Sequence, residues 1–236
     1  MTGFPVVNVF QIRLTFSLNL LKLVLIFYYL RKFNARKNTC RSEYSCYYEK
    51  VGKNEPVLVE DLPFDIPDTW MWARLKDISF TQTGTTPSTS NPNNFGDYIP
   101  FIKPGDISRG KINYCNEGLS NEGLQNGRLI NASSVLMVCI GGSLGKCALT
   151  DRDVSCNQQI NTATPCQYIL PSYLFYVLDS DYFYKTANDN STGTATPIIN
   201  RSLWENILIP IPPQAEQVRI CLKIKEILNR IEKDEI

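Results

Sequence analysis

NILIPIPPQAEQVRICLKIKEILNRIEKDEI, residues 206–236, decides how the rest of the chain is read. Ile207, Leu208, Ile209 and Ile211 form a short apolar run of strand character. Pro210, Pro212 and Pro213 stop it, because proline has no N–H to give to a sheet or a helix interior. Pro213 suits the first turn of a following helix, where an N–H would have no partner. Ile220, Ile224, Ile227 and Ile231 then recur at spacings of four, three and four, the pattern of a coiled-coil seam. Cys221 and Leu228 widen the stripe, while Lys223, Lys225, Glu226 and Arg230 lie off it. Such a stripe needs a partner, from elsewhere in the chain or from another chain.

At 236 residues the chain suits one domain of ordinary size with appendages. A charged fraction of 20% and a net charge of +1 give no global sign of nucleic acid or membrane, although a basic face can hide inside a neutral total. The eight cysteines contain no C-x-x-C pair, which argues against zinc, and no secretory signature points to disulfides. Reduced thiols in a cytoplasm are the expectation. Histidine is absent. That removes Ser-His-Asp and Cys-His catalysis, histidine metal ligation and imidazole acid–base chemistry together.

Residues 18–30, LNLLKLVLIFYYL, are strongly apolar but short of the ~20 residues of a membrane span, and Lys22 interrupts them. A helix covering another apolar stripe is preferred over an anchor flanked by Arg31, Lys32, Arg36 and Lys37. Residues 34–61 are polar and basic and read as a linker. The body is placed at residues 62–212. Its opening, LPFDIPDTWMWARLKDI, carries Trp70 and Trp72, which suit either base stacking or seating the domain's edge in its core. Strands are expected at residues 98–102, 110–114, 134–140 and 146–150, separated by Gly, Asn and Ser turns. Helices are expected at residues 173–179 and 182–187. The class is α+β, a β-rich domain followed by a coiled-coil-type helix over residues 213–236.

Several loops carry residues suited to a nucleic acid. GGSLGK, residues 141–146, fails as a phosphate-binding P-loop: Ile140 stands where the first glycine belongs and Cys147 where Ser or Thr would bind magnesium. Ser143 and Lys146 remain candidates for phosphate contact, against a plain hairpin turn. Asn157, Gln158, Gln159 and Asn161 form a cluster of amides, the side chains that pair bidentately with adenine, or else they cap a strand end. Lys103, Arg109 and Lys111 flank a Pro-Gly turn and suit backbone positioning, as a solvated loop would too. Thr85 and Thr86 lie in a Gly-Thr-Thr-Pro turn. Thr192 and Thr194 lie in NDNSTGTAT, residues 188–196, which suits either partner-dependent ordering or a surface loop. No catalytic set emerges. An amino-methyltransferase would need an Asn/Asp-Pro-Pro-aromatic loop, and a nuclease would need grouped carboxylates. Asp97, Asp106 and residues 151–153 are scattered. No catalytic residue, metal ligand or bound cofactor is assigned.

From about Tyr47 onward the chain resembles the specificity subunit of type I restriction–modification systems. Four stretches carry the resemblance: IPDTWMWARLKDI (66–78), IPFIKPGDIS (99–108), CIGGSLGKCALTDRDVSCNQQINTATP (139–165) and GTATPIINRSLWENILIPIPPQAEQVRICLKI (193–224). It implies a non-catalytic, cytoplasmic subunit whose target recognition domain reads one half of a bipartite double-stranded DNA site. Modification subunits would bring S-adenosylmethionine and adenine methylation, and the restriction subunit ATP, Mg²⁺ and cleavage. The family usually carries two recognition domains and two spacer helices, whereas one of each is found here, and residues 1–45 do not resemble the family's usual beginning. The chain is therefore either a half-subunit that dimerises, a truncated remnant acting only in protein interaction, or one piece of a shuffled locus. For the dimer, Ile220, Ile224, Ile227, Leu228 and Ile231 would form the interface. The helix would span about 36 Å, close to the ~34 Å of one DNA turn.

Overall fold

The computed structural model describes residues 62–234, together with two short antiparallel strands, β1 (Tyr47–Glu49) and β2 (Val57–Val59). The apolar stretch at residues 18–30 lies outside the described residues. The strand pair corrects the reading of residues 34–61 as linker throughout. Tyr47–Tyr48 and Val57–Val59 have strand propensity that the surrounding charges obscure.

The centre of the body is a four-stranded antiparallel sheet ordered β10-β9-β12-β4, formed by β4 (Ser79–Thr83), β9 (Val135–Val138), β10 (Cys147–Leu149) and β12 (Ile160–Pro165). Strand β9 is buried on both sides, and its strict alternation sorts its residues between two cores. Val135 and Met137 face the larger core, with Trp204, Phe183, Leu174 and Leu75. Leu136 and Val138 face a smaller one, with Ile102, Ile107, Ile130, Val154 and Ile160. Trp204 is fully buried and its Nε1 lies 3.1 Å from Met137 Sδ.

The larger core is closed by α3 (Pro171–Leu178), α4 (Asp181–Asp189) and α5 (Arg201–Glu205). Proline opens α3 at a position where its missing N–H is harmless. Ser180 caps α4 by accepting from Phe183 N, and Asn200 caps α5 by accepting from Leu203 N. The remaining helices are short: α1 (Leu75–Ile78) leads into β4, and α2 (Asn121–Asn126) is capped by Ser120. A second sheet, β11-β5-β8, pairs β5 (Phe95–Ile102) in parallel with β11 (Ser155–Cys156) and antiparallel with β8 (Gly118–Leu119). Leu119 pairs with both Phe95 and Ile99, so Asp97 and Tyr98 bulge outward and are exposed. A hairpin of β6 (Ile107–Ser108) and β7 (Lys111–Ile112) lies beside β10, with Gly110 bridged to Ala148.

The closing stretch folds as strand, proline stop and helix. Strand β13 (Leu208–Ile211) pairs antiparallel with β3 (Met71–Arg74), and α6 (Gln214–Asp234) follows. Pro213 stands just before the helix and its carbonyl accepts from Glu216 N and Gln217 N. The chain itself supplies the stripe's partner for its first turns: Ile220, Cys221 and Ile224 are buried in the larger core and α6 packs on α3. This corrects the assignment of Ile220 and Ile224 to an intermolecular interface. Each buried isoleucine contributes about 1.5–3 kcal/mol to the fold. Leu228 packs against the same core, while Ile227 and Ile231 are half-buried.

Polar side chains fix how the helix leaves the body. Gln217, only 1% exposed, accepts from Leu170 N at 2.9 Å and donates to the carbonyls of Pro212 and Tyr168 at 3.0 and 3.2 Å. Trp70 Nε1 donates to Glu216 Oε2 at 3.1 Å, which places Trp70 in the core. Trp72 packs edge-on against Phe64 with ring centroids 4.9 Å apart, with Tyr182 beside both.

Candidate nucleic acid interface

Strand register brings four separate loops to one end of the central sheet. Val138 pairs with Ile160, Asn161 with Thr83, and Cys147 with Met137. The end of β9, the start of β12, the end of β4 and the start of β10 therefore coincide. The turn after β4 carries Thr85 and Thr86, the β9–β10 turn carries Ser143 and Lys146, and the turn into β12 carries Gln158 and Gln159. The loop after α4 joins them, because Ile198 bridges both Ile140 and Thr192, and Gly141 N donates to Pro197 O. Thr192 and Thr194 are exposed on that loop.

Backbone contacts hold this rim in place. Gly84 N donates to Ile160 O, Thr85 N to Cys156 O, Asn157 N to Ile102 O, and Cys139 N to Gln159 O, all at 2.8–3.0 Å. A Cβ on Gly84 would lie 2.2 Å from the Asn157 carbonyl, so only glycine lets the two turns approach. Gly145 has φ +92°, and a Cβ there would meet the Tyr184 ring at 2.3 Å. Tyr184 thus lies over the β9–β10 turn and remains about half exposed. The sequence carries no sign of this, since nothing local ties a tyrosine on α4 to a glycine in the β9–β10 turn.

The side chains divide into presented and supporting groups. Gln158 and Lys146 are exposed; Thr86 Oγ1 lies 2.6 Å from Gln158 Oε1. Asn161 is 2% exposed and its Oδ1 accepts from Thr83 Oγ1 at 2.8 Å, so it lies beneath the rim and is not presented at the surface. Its place in the middle strand of the sheet accounts for this. Asn157, 8% exposed, bonds its neighbour Gln159. Lys103 follows Ile102 at the same end, but its ammonium is paired with the Glu117 carboxylate and lies 5.8 Å from the Phe101 ring centroid. Arg109 and Lys111 are exposed on the β6–β7 hairpin, beyond the β10 edge and not among the four loops.

Charge is distributed unevenly along the sheet. Lys146 is the one charged residue in the turns at residues 84–87, 141–146 and 157–159 and the loop at 190–197. The opposite end carries Asp151, Arg152 and Asp153. The Arg152 guanidinium hydrogen-bonds Asp151 at 2.9 Å, holds its carboxyl below the usual range and stacks 4.3 Å from the Tyr114 ring centroid. Asp106 accepts from Lys103 N and Asn116 Nδ2. Among the described residues no group of three or more Cys, Asp or Glu could hold a metal ion, and no helix is long and apolar enough to cross a membrane.

A rim of hydroxyls and amides on a rigid sheet can hydrogen-bond base edges more readily than it can attract phosphates. Residues 67–236 match the family described as type I restriction modification DNA specificity domain. The chain is 33% identical over 162 residues to the type I restriction enzyme HindI specificity subunit of Haemophilus influenzae, covering 67% of this chain and 35% of that one. It is 26% identical over 164 residues to the MjaIX specificity subunit of Methanocaldococcus jannaschii, covering 66% and 37%. The chain thus spans little more than a third of those relatives. In fold it is similar to the HsdS subunit of Thermoanaerobacter tengcongensis, with TM-score 0.59, 18% identity, and 72% and 40% of the two chains covered. A structure from work on assembly and conformational transition of the type I R-M system gives TM-score 0.60 at 19% identity, covering 72% and 41%.

Proposed function

The chain belongs to the type I restriction modification DNA specificity domain family, and from that premise we propose that it recognises double-stranded DNA, its sheet-end rim reading one half of a bipartite target. The observation that supports this reading is the convergence of Thr85, Thr86, Ser143, Gln158, Gln159, Thr192 and Thr194 from four separate stretches onto one surface. Amide and hydroxyl side chains match the donor and acceptor pattern of base edges. Helix α6 would act as spacer and docking element for modification subunits, which with the restriction subunit would carry the S-adenosylmethionine, ATP and Mg²⁺ chemistry in the cytoplasm. The part of its seam that the body leaves half-buried, with Ile227 and Ile231, would join a second copy.

Mobility shift of the full chain with modification subunits, on a duplex library at low salt, tests the reading. A salt-sensitive complex that enriches a defined sequence is expected. No shift with partners present would reject it. One observation favours a second reading, a protein-interaction piece without DNA readout: the rim carries a single cation, Lys146. Equal retention of all duplexes, with stable co-purification of the modification subunits, would establish that alternative instead.

A further inference from the structure

One amide on the rim has its orientation dictated by the backbone beside it. Gln159 N–H lies 3.1 Å from Asn157 Oδ1. A backbone amide only donates, so the Asn157 atom facing it must be the oxygen. The Asn157 Nδ2 then faces the Gln159 side chain, where it donates to Oε1 at 3.0 Å. The backbone of both residues is pinned, Asn157 N to Ile102 O and Gln159 O by Cys139 N. Gln159 Oε1 is thereby turned toward the protein, and Nε2 is left as the group with no bond among the described residues. Gln158 has no such constraint, because the Thr86 hydroxyl beside it can donate or accept.

We infer that Gln159 is a reader of fixed polarity, which presents N–H donors to a base edge and selects an edge rich in acceptors, that of guanine. The inference rests on the DNA-recognition reading above. Guanine offers O6 and N7 side by side in the major groove. The bidentate pairing of glutamine with adenine needs the side-chain oxygen to face N6, and here Asn157 holds that oxygen back. Asn157 is therefore a positioning residue that acts through Gln159.

The test compares bases selected from a randomised duplex library by the full chain with modification subunits. Wild type is set against Asn157→Asp and Gln159→Glu. The Asn157→Asp carboxylate still accepts Gln159 N–H but offers no donor, so Gln159 turns its nitrogen inward and its oxygen outward. Gln159→Glu presents acceptors directly, and its half-buried side chain at the rim keeps the test open should Asn157→Asp fail to fold. One guanine position in the wild-type site should change to cytosine or adenine, whose amino groups donate, with a preference change of roughly ten-fold or more at that position only. A merely structural role for Asn157 would weaken all sequences alike. Retention of the wild-type base at every position by both variants, or by Gln159→Glu where it alone folds, overturns the inference while leaving DNA recognition standing. Absence of any selected sequence for wild type overturns both.

Discussion

Cys139 and Cys156 lie in the two cores on either side of β9. Burial pushes each thiol from an ordinary 9.0 up to about 12. At Cys139 the hydrogen bonds from Asn161 act in the opposite direction and are outweighed. Unfolding frees both thiols to ionise near 9.0, so between 9.0 and about 12 the folded state holds protons that the unfolded state has lost. Their contribution to stability is full below that window and falls as the pH rises through it. Equilibrium denaturation from about pH 8 to about pH 11 should show a steady decline, less steep in Cys156→Ala. A flat profile in the wild-type chain would contradict the burial. At the same scale, residue type leaves Asn161 open between base reading and capping of a strand end, and only its burial and its register against Thr83 and Met137 place it inside.

Burial divides the stripe of helix α6. Ile220, Cys221 and Ile224 are buried in the body's core, whereas Ile227 and Ile231 are only half-buried. Ile224 is 3% exposed, so Ile224→Asp should lose at least the ~2–5 kcal/mol of truncating a core isoleucine, with the cost of an unpaired buried carboxylate added. Thermal unfolding by circular dichroism should reveal a strongly weakened or unfolded body. Ile231→Asp, by contrast, should leave the unfolding midpoint nearly unchanged and lower the mass seen by light scattering if a second copy docks there. Equal effects of the two substitutions on stability would refute the division. Strand β12 is the other element whose place was hidden. Ile160–Pro165 reads INTATP, too polar to resemble a buried strand, yet it sits in the middle of the sheet. Its threonines and the Asn161 Oδ1 are tolerated there because neighbours bond them, as Ser134 does Thr164 and Thr83 does Asn161 Oδ1.

At the scale of the whole molecule the rim and the charge distribution set how binding should respond to salt. Lys146 is the rim's lone cation, so Lys146→Ala should weaken all duplexes uniformly and reduce the slope of log affinity against log salt by about 0.9. Gln158→Ala should alter the selected sequence and leave that slope intact. A changed sequence preference in Lys146→Ala would assign the lysine to base contact instead.

The amino-acid sequence by itself determined the α+β class, the strand–proline–helix ending, the family resemblance and most of the loops that form the rim, because proline geometry, apolar periodicity and turn chemistry are local. Only the tertiary structure decided that Ile220 and Ile224 belong to the body, that Asn161 lies beneath the rim and that Lys103 is neutralised by Glu117. Burial, sheet register and pairing between distant residues are set by how elements pack, and no spacing along the chain encodes them directly.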